Sequence, residues 1–207
     1  MWAMARPNSR SISLRTLLAC VVIAVVGSRL DAQGPGREGG RIMELDSESP
    51  EVRARASSDI LQRREAEIDV LMQLLERRLV NDDRQGTVKD VMLVLGKLRA
   101  SRAVPLLVRN LTYEAFYKNT KRPQTTEDLY PAVAALIEIG SPSLKAVLER
   151  VTNESDPTVT RTAAAVIHGV LGGRWASSWL KEEASAERLG DRKRRLEAVG
   201  HAIEELR

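Results

Sequence analysis

Side chains able to carry chemistry are few in this chain, and they do not converge. The two histidines, His168 and His201, belong to no HExxH motif, no ligand cluster and no i, i+4 pair. Neither therefore has the neighbours that a metal site or a general base requires. No GxSxG elbow, P-loop or GxGxxG turn occurs, which removes the common nucleophilic and phosphate-cradling arrangements. Acidic residues number 28, but none pair at a spacing that sets them apart from a solvated helix face. The residues name no catalytic group, no metal ligand and no cofactor, and the expectation is a non-catalytic protein.

Aromatic residues do cluster. Apart from Trp2 there are six, and they fall in two places. Tyr113, Phe116, Tyr117 and Tyr130 lie in or beside residues 112–128, TYEAFYKNTKRPQTTED, together with Lys118, Lys121 and Arg122. A segment of that length exceeds the few residues usual between packed helices. Aromatics and cations on a loop held by a rigid scaffold suit a binding site, and these seven residues are the candidate partner contacts. The competing reading is that Phe116 and the tyrosines pack the loop onto the helix ends, since such rings serve both purposes. Trp175 and Trp179 stand four apart on one helix face, and the expectation is that they fill the last layer between helices, with an exposed ligand patch as the alternative.

The elements that position these residues are helices. In 132–151, AVAALIEIGSPSLKAVLERV, the residues Ala132, Ala135, Leu136 and Ile139 form one stripe at helical spacing. Gly140 supplies a positive-φ stop, Ser141 is placed to cap the next helix, and Pro142 suits its first turn. Leu144, Val147, Leu148 and Val151 repeat the stripe. Upstream, Val88, Val91, Met92, Leu95 and Leu98 make one helix; Ala103, Val104, Leu107, Val108 and Leu111 make its partner, with Pro105 in its first turn. Val91, Leu95 and Leu98 match Ala132, Leu136 and Ile139 at a spacing of 41, whereas Ser101, Val104, Leu107 and Leu111 match Ser141, Leu144, Val147 and Val151 at 40. Ser49-Pro50 and Asp156-Pro157 are a further echo, each a cap before a helix-opening proline. Residues 50–79 contain no glycine, so they form one long helix or two with a corner near 62–65; recurrence of the unit favours two. A period near 40 with two helices per unit is the pattern of a solenoid.

The runs LGKLRASRAVPLLVRNL (95–111) and ALIEIGSPSLKAVLERV (135–151), with the openings SPEVRARA and DPTVTRTA, resemble HEAT repeats, most closely the short type of phycobilisome-lyase-like proteins. The resemblance spans about residues 49–171. It implies an all-α, right-handed solenoid of about three to four helix pairs, and a binding scaffold rather than an enzyme; no lyase residue has a counterpart in this chain. The charged stretch from Glu182 to Arg195 and the stripe Leu196, Val199, Ile203 and Leu206 are expected to form a capping helix at the C-terminal end.

Aromatics make up 3% of the 207 residues and charged residues 29%, with a net charge of +4. A core must come from Leu, Val, Ile and Ala, which favours close-packed helices. Residues 1–32 read as a secretory signal: Arg6, Arg10 and Arg15 precede an uncharged run at 17–27 that is too short to span a bilayer core of roughly 30 Å. Retained, the same run would be a membrane anchor. The signal carries four arginines and one aspartate, so without it the net charge falls to about +1, and a near-neutral protein has no general attraction for nucleic acid. It also holds Cys20, the single cysteine, leaving a mature chain without disulfides or thiol ligands. Gly-rich residues 33–48 are expected as a flexible leader, followed by one helical repeat domain at 49–207. The expected function is an exported, periplasmic or extracellular scaffold for a protein or peptide, bound through the solenoid surface and the 112–128 loop. Binding of an anionic polymer, nucleic acid or acidic glycan, by the basic aromatic loop is the alternative.

Overall fold

The structure is a computed structural model that describes residues 38–63, 67–81, 85–115 and 126–206. The chain divides into two compact units, Met1–Gly40 and Arg41–Arg207. Of the first unit only Glu38–Gly40, the opening of a helix, is described. The predicted signal, with the apolar run 17–27, lies outside the described residues. The helices are α1 (Glu38–Leu45), α2 (Pro50–Arg63), α3 (Ile68–Asn81), α4 (Gln85–Lys97), α5 (Val104–Arg109), α6 (Thr126–Leu129), α7 (Pro131–Ile139), α8 (Leu144–Asn153), α9 (Pro157–Leu171), α10 (Gly173–Ala186) and α11 (Gly190–Glu205). No strand occurs among the described residues, and the fold is all-α.

The second unit is built as a row. Helix α4 packs on α2 and α7, α7 also on α9, and α9 also on α11. Each intervening helix rests on the next member of that row: α3 on α4, α5 on α7, α8 on α9 and α10 on α11. The apolar stripes explain the order. Ala132, Ala135 and Leu136 are fully buried and Ile139 nearly so; Val91, Met92 and Leu95 are fully buried one unit earlier. Leu107 on α5, Leu111 just beyond it, and Val147 and Val151 on α8 play the same part. A two-helix unit has two stripes and only one internal seam, so the second stripe finds cover on the following unit.

Residues 50–81 form two helices, α2 and α3, as the recurring unit predicts. Both expected caps are in place: the Ser49 hydroxyl accepts from the Val52 N–H at 3.3 Å, and the Asp156 carboxylate from the Thr158 N–H at 2.7 Å. Ser141 is different. It opens a 3-10 turn, Ser141–Ser143, and its side chain makes no capping bond. The hydroxyl that closes this corner is that of fully buried Ser143, which donates back to the carbonyls of Leu136 (3.1 Å) and Gly140 (2.7 Å). It thus serves the end of α7 instead of the start of α8, where orphan carbonyls need donors.

The leader predicted at 33–48 is in part structured. Helix α1 places Ile42 and Leu45 in the core, and Asp46, just beyond it, pairs with Arg78 of α3. Two apolar residues three apart are enough to seat one helical turn, a signal hidden by the glycines before it. At the other end, Gly173 opens α10, so a single residue, Gly172 (φ 76°), separates α9 from α10. No single described helix is long and apolar enough to cross a membrane. Helices α7 and α8 pass by length and composition only as a pair bent by 116°, and both carry the buried stripes of the core.

Candidate binding surface

The predicted loop is rooted at one point. The Ala115 N–H donates to the Leu129 carbonyl at 2.9 Å, so the chain leaves and returns at the same place beside α7. Tyr130 is 7% exposed and belongs to the core, and its hydroxyl donates to Glu114 Oε1 at 2.9 Å. Burial first, then the Glu114 bond and charge, raise the Tyr130 phenol above its ordinary pKa. Tyr113 is half-buried and packs against the same core. These two tyrosines therefore pin the loop root, and Tyr130 offers a partner little surface. Phe116, Tyr117, Lys118, Lys121 and Arg122 lie outside the described residues.

Helix α9 also packs on α6 at the loop root, and Arg161 opposes, and Asp156 adds to, the rise of the Tyr130 phenol. From there a cleft of about 650 Å³ runs between α9 and α11. Its lining includes Pro157, Thr160 and Arg161 on one side and Asp191, Arg194 and Arg195 on the other. The lining thus holds three arginines and a single acidic residue. Asp191 is engaged by Arg194, whose hydrogen bond and charge hold the Asp191 carboxyl below its usual range. Arg195 Nη1 donates to the Thr152 carbonyl at 2.7 Å, and Arg192 Nη2 to the Thr152 hydroxyl at 3.0 Å. The two arginines of α11 thereby close the C-terminal end of α8, where carbonyls lack helical donors and the dipole favours cations. Arg161 has no ion-pair partner among the described residues.

Elsewhere the surface is less directed. A smaller groove of about 140 Å³ follows the α4–α7 seam, with Leu93, Lys97, Ile137 and Glu138 on its rim. His168 is half-buried in the last turn of α9; His201 is exposed, with Nδ1 3.8 Å from Glu204 Oε2. Among the described residues no group of three or more His, Cys, Asp or Glu could hold a metal ion. The tryptophans part company. Trp179 packs against the core as expected, but Trp175 is 72% exposed, so only one of them fills the last layer. The cleft arginines were missed by sequence reading, which took the charges of 182–195 as a mixed polar cap and gave Arg161 no role. Arg161 and Arg195 are too far apart in the chain for any local pattern to join them. Compared with known proteins, the chain matches no family model and no curated protein.

Proposed function

We propose that the protein is a non-catalytic, exported interaction scaffold. In this reading the row α2–α4–α7–α9–α11 is the spine of a right-handed α-solenoid of HEAT-like helix pairs, with α11 as its cap. A protein or peptide partner lies along the surface and against the 112–128 loop. The observation that carries the reading is the packing order, in which every pair lends its second helix to the first helix of the next. Such a stack offers an extended surface of fixed shape, and binding then needs no moving part. The tied loop root supports it further, because Tyr113 and Tyr130 pack into the core on either side of the candidate contact residues in the sequence.

The test is affinity capture from the native envelope fraction with the full chain and with an F116A/Y117A/R122A variant, read by quantitative mass spectrometry. A partner enriched by the parent chain and lost by the variant, at unchanged Tm, is the expected outcome. Equal enrichment by both rejects the loop as the contact. The nearness of Arg161 to the root of a loop carrying Lys118, Lys121 and Arg122 favours a second occupant, an anionic polymer. Its affinity must fall steeply with salt, by one counterion-release increment for each phosphate or sulfate engaged. Export is tested by N-terminal sequencing of the protein recovered from outside the cytoplasm, where a start near residue 29 or 33 is expected.

A further inference from the structure

We infer that the cleft between the first turns of α9 and α11 receives a side-chain carboxylate from an acidic segment of the partner, held by Arg161 and Arg195; this rests on the scaffold reading above. The donors in the cleft outnumber the acceptors. Asp191 is taken by Arg194, Asp156 accepts from the Thr158 N–H, and Glu114 accepts from the Tyr130 hydroxyl. Each of these three carboxylates thus has a hydrogen-bond donor within the protein. Arg161 has no ion pair among the described residues, and Arg195 has one hydrogen bond, from Nη1 to the Thr152 carbonyl, beside the weaker pull of Asp191, whose ion-pair partner is Arg194. A guanidinium offers five N–H donors in a planar fork, so the edge of Arg195 not used on Thr152 is held ready by the bond that anchors the other. A carboxylate matches that fork with two parallel bonds. Pro157 and Ala198 line the same cleft and give the aliphatic part of a glutamate an apolar surface to lie on.

The geometry disfavours nucleic acid. Tight binding to a phosphate backbone uses a stripe of cations that engages many phosphates at once. Here the cations are three arginines lining one open cleft with Asp191, on a chain that is close to neutral beyond residue 32.

The experiment is fluorescence anisotropy at physiological salt with a fluorescein-labelled glutamate decamer, a glutamine decamer and an oligothymidylate of equal length. The full chain is compared with R161Q and with R195K, which keeps the charge near Thr152 but loses the fork. Saturable binding of the glutamate decamer, weakened about tenfold by R161Q and severalfold by R195K at unchanged Tm, is expected, with the glutamine decamer not bound. Absence of saturable binding, equal affinity of the variants, or tighter binding of oligothymidylate overturns the inference. The scaffold reading is judged separately. If R161Q captures the partner as well as the parent chain does, the cleft is excluded and the scaffold stands; if no partner depends on the loop residues, the loop contact fails whatever the decamer does.

Discussion

The corner between α4 and α5 and the corner between α7 and α8 turn the chain between equivalent helices, yet they use different numbers of residues. After α7 a single residue, Gly140, adopts φ 82° and ψ −145°, a conformation open essentially to glycine alone. Its N–H donates to the Leu136 carbonyl at 3.1 Å. After α4 the turn takes one residue more. Arg99 stands at φ 52°, its N–H donating to Gly96 (2.7 Å), and the Ala100 N–H reaches back to Leu95 (3.0 Å), the six-to-one bond of a Schellman ending. Beyond that point the corners coincide: Ala103 N–H to the Ala100 carbonyl and Ser143 N–H to the Gly140 carbonyl, both 2.9 Å. The added residue is why matches before the corner fall 41 apart and matches after it 40. The helices on either side keep their own faces inward regardless. Register in this fold is therefore set helix by helix, by each stripe, and the corner only has to join the ends.

If the two units are equivalent, core truncations at matched positions must cost the same. Leu95 and Leu136 stand 41 apart and both are fully buried. Leu95→Ala and Leu136→Ala are each expected to cost about 2–5 kcal/mol, measured by urea denaturation, with values that agree within about 1 kcal/mol. A large cost at one site and a small one at the other would show that the units only look alike.

The seams on either side of α7 differ, and glycines expose how. A Cβ built on Gly96 of α4 would lie 2.6 Å from the Cα of Ala135, main chain that has nowhere to go. On the other side, a Cβ at Gly169 of α9 would meet the side chain of Ile137, its Cδ1 at 2.6 Å, which can rotate away. Gly96→Ala is expected to destabilise by about 1–3 kcal/mol through forced separation of α4 and α7. Gly169→Ala is expected to come out near neutral, because helix propensity returns about 1 kcal/mol. Thermal denaturation of the two variants side by side reads this directly, and equal losses would make the two seams alike.

Ser143 and its counterpart Ala103 sharpen the comparison at smaller scale. Both are fully buried, but only the serine can donate to the end of the preceding helix. Ser143→Ala is expected to lose about 1 kcal/mol by leaving the Leu136 carbonyl one donor short. No such cost exists at Ala103, which has no hydroxyl, and there the Leu95 carbonyl rests on the Ala100 N–H alone as its donor across the corner. A neutral Ser143→Ala would mean that the corner bonds are redundant.

What could be read from the sequence was whatever is written locally. The stripes of α4, α5, α7 and α8 and the caps at Ser49 and Asp156 depend on residues within one or two turns, and the structure places them as expected; the split between α2 and α3 came from the recurrence of the unit instead. Misreadings arose where a local pattern has two uses. Ser141 has the type and place of a cap, but the chain enters α8 through a 3-10 turn that leaves the hydroxyl of Ser143 better aimed. Trp175 and Trp179 share a spacing that puts them on one face, yet only Trp179 packs against the core and Trp175 is left exposed. The cleft was illegible for a different reason. Arg161 and Arg195 line one cleft because α9 and α11 pack together, and no periodicity within either helix carries that information.

The smallest effect separates backbone strain from side-chain contribution at the longer corner. Arg99 is the one non-glycine residue at positive φ among the described residues, and it is exposed, with no ion pair among those residues. Holding an L-residue in a left-handed conformation costs roughly 1–2 kcal/mol. Glycine removes that cost but adds backbone freedom to the unfolded chain, worth roughly 0.5–1 kcal/mol in the opposite direction. The strain is the larger quantity, so Arg99→Gly is expected to stabilise by up to about 1 kcal/mol and to raise Tm by a few degrees or less. A fall in stability would mean that the Arg99 side chain holds the corner, and the two corners would then differ in what maintains them as well as in length.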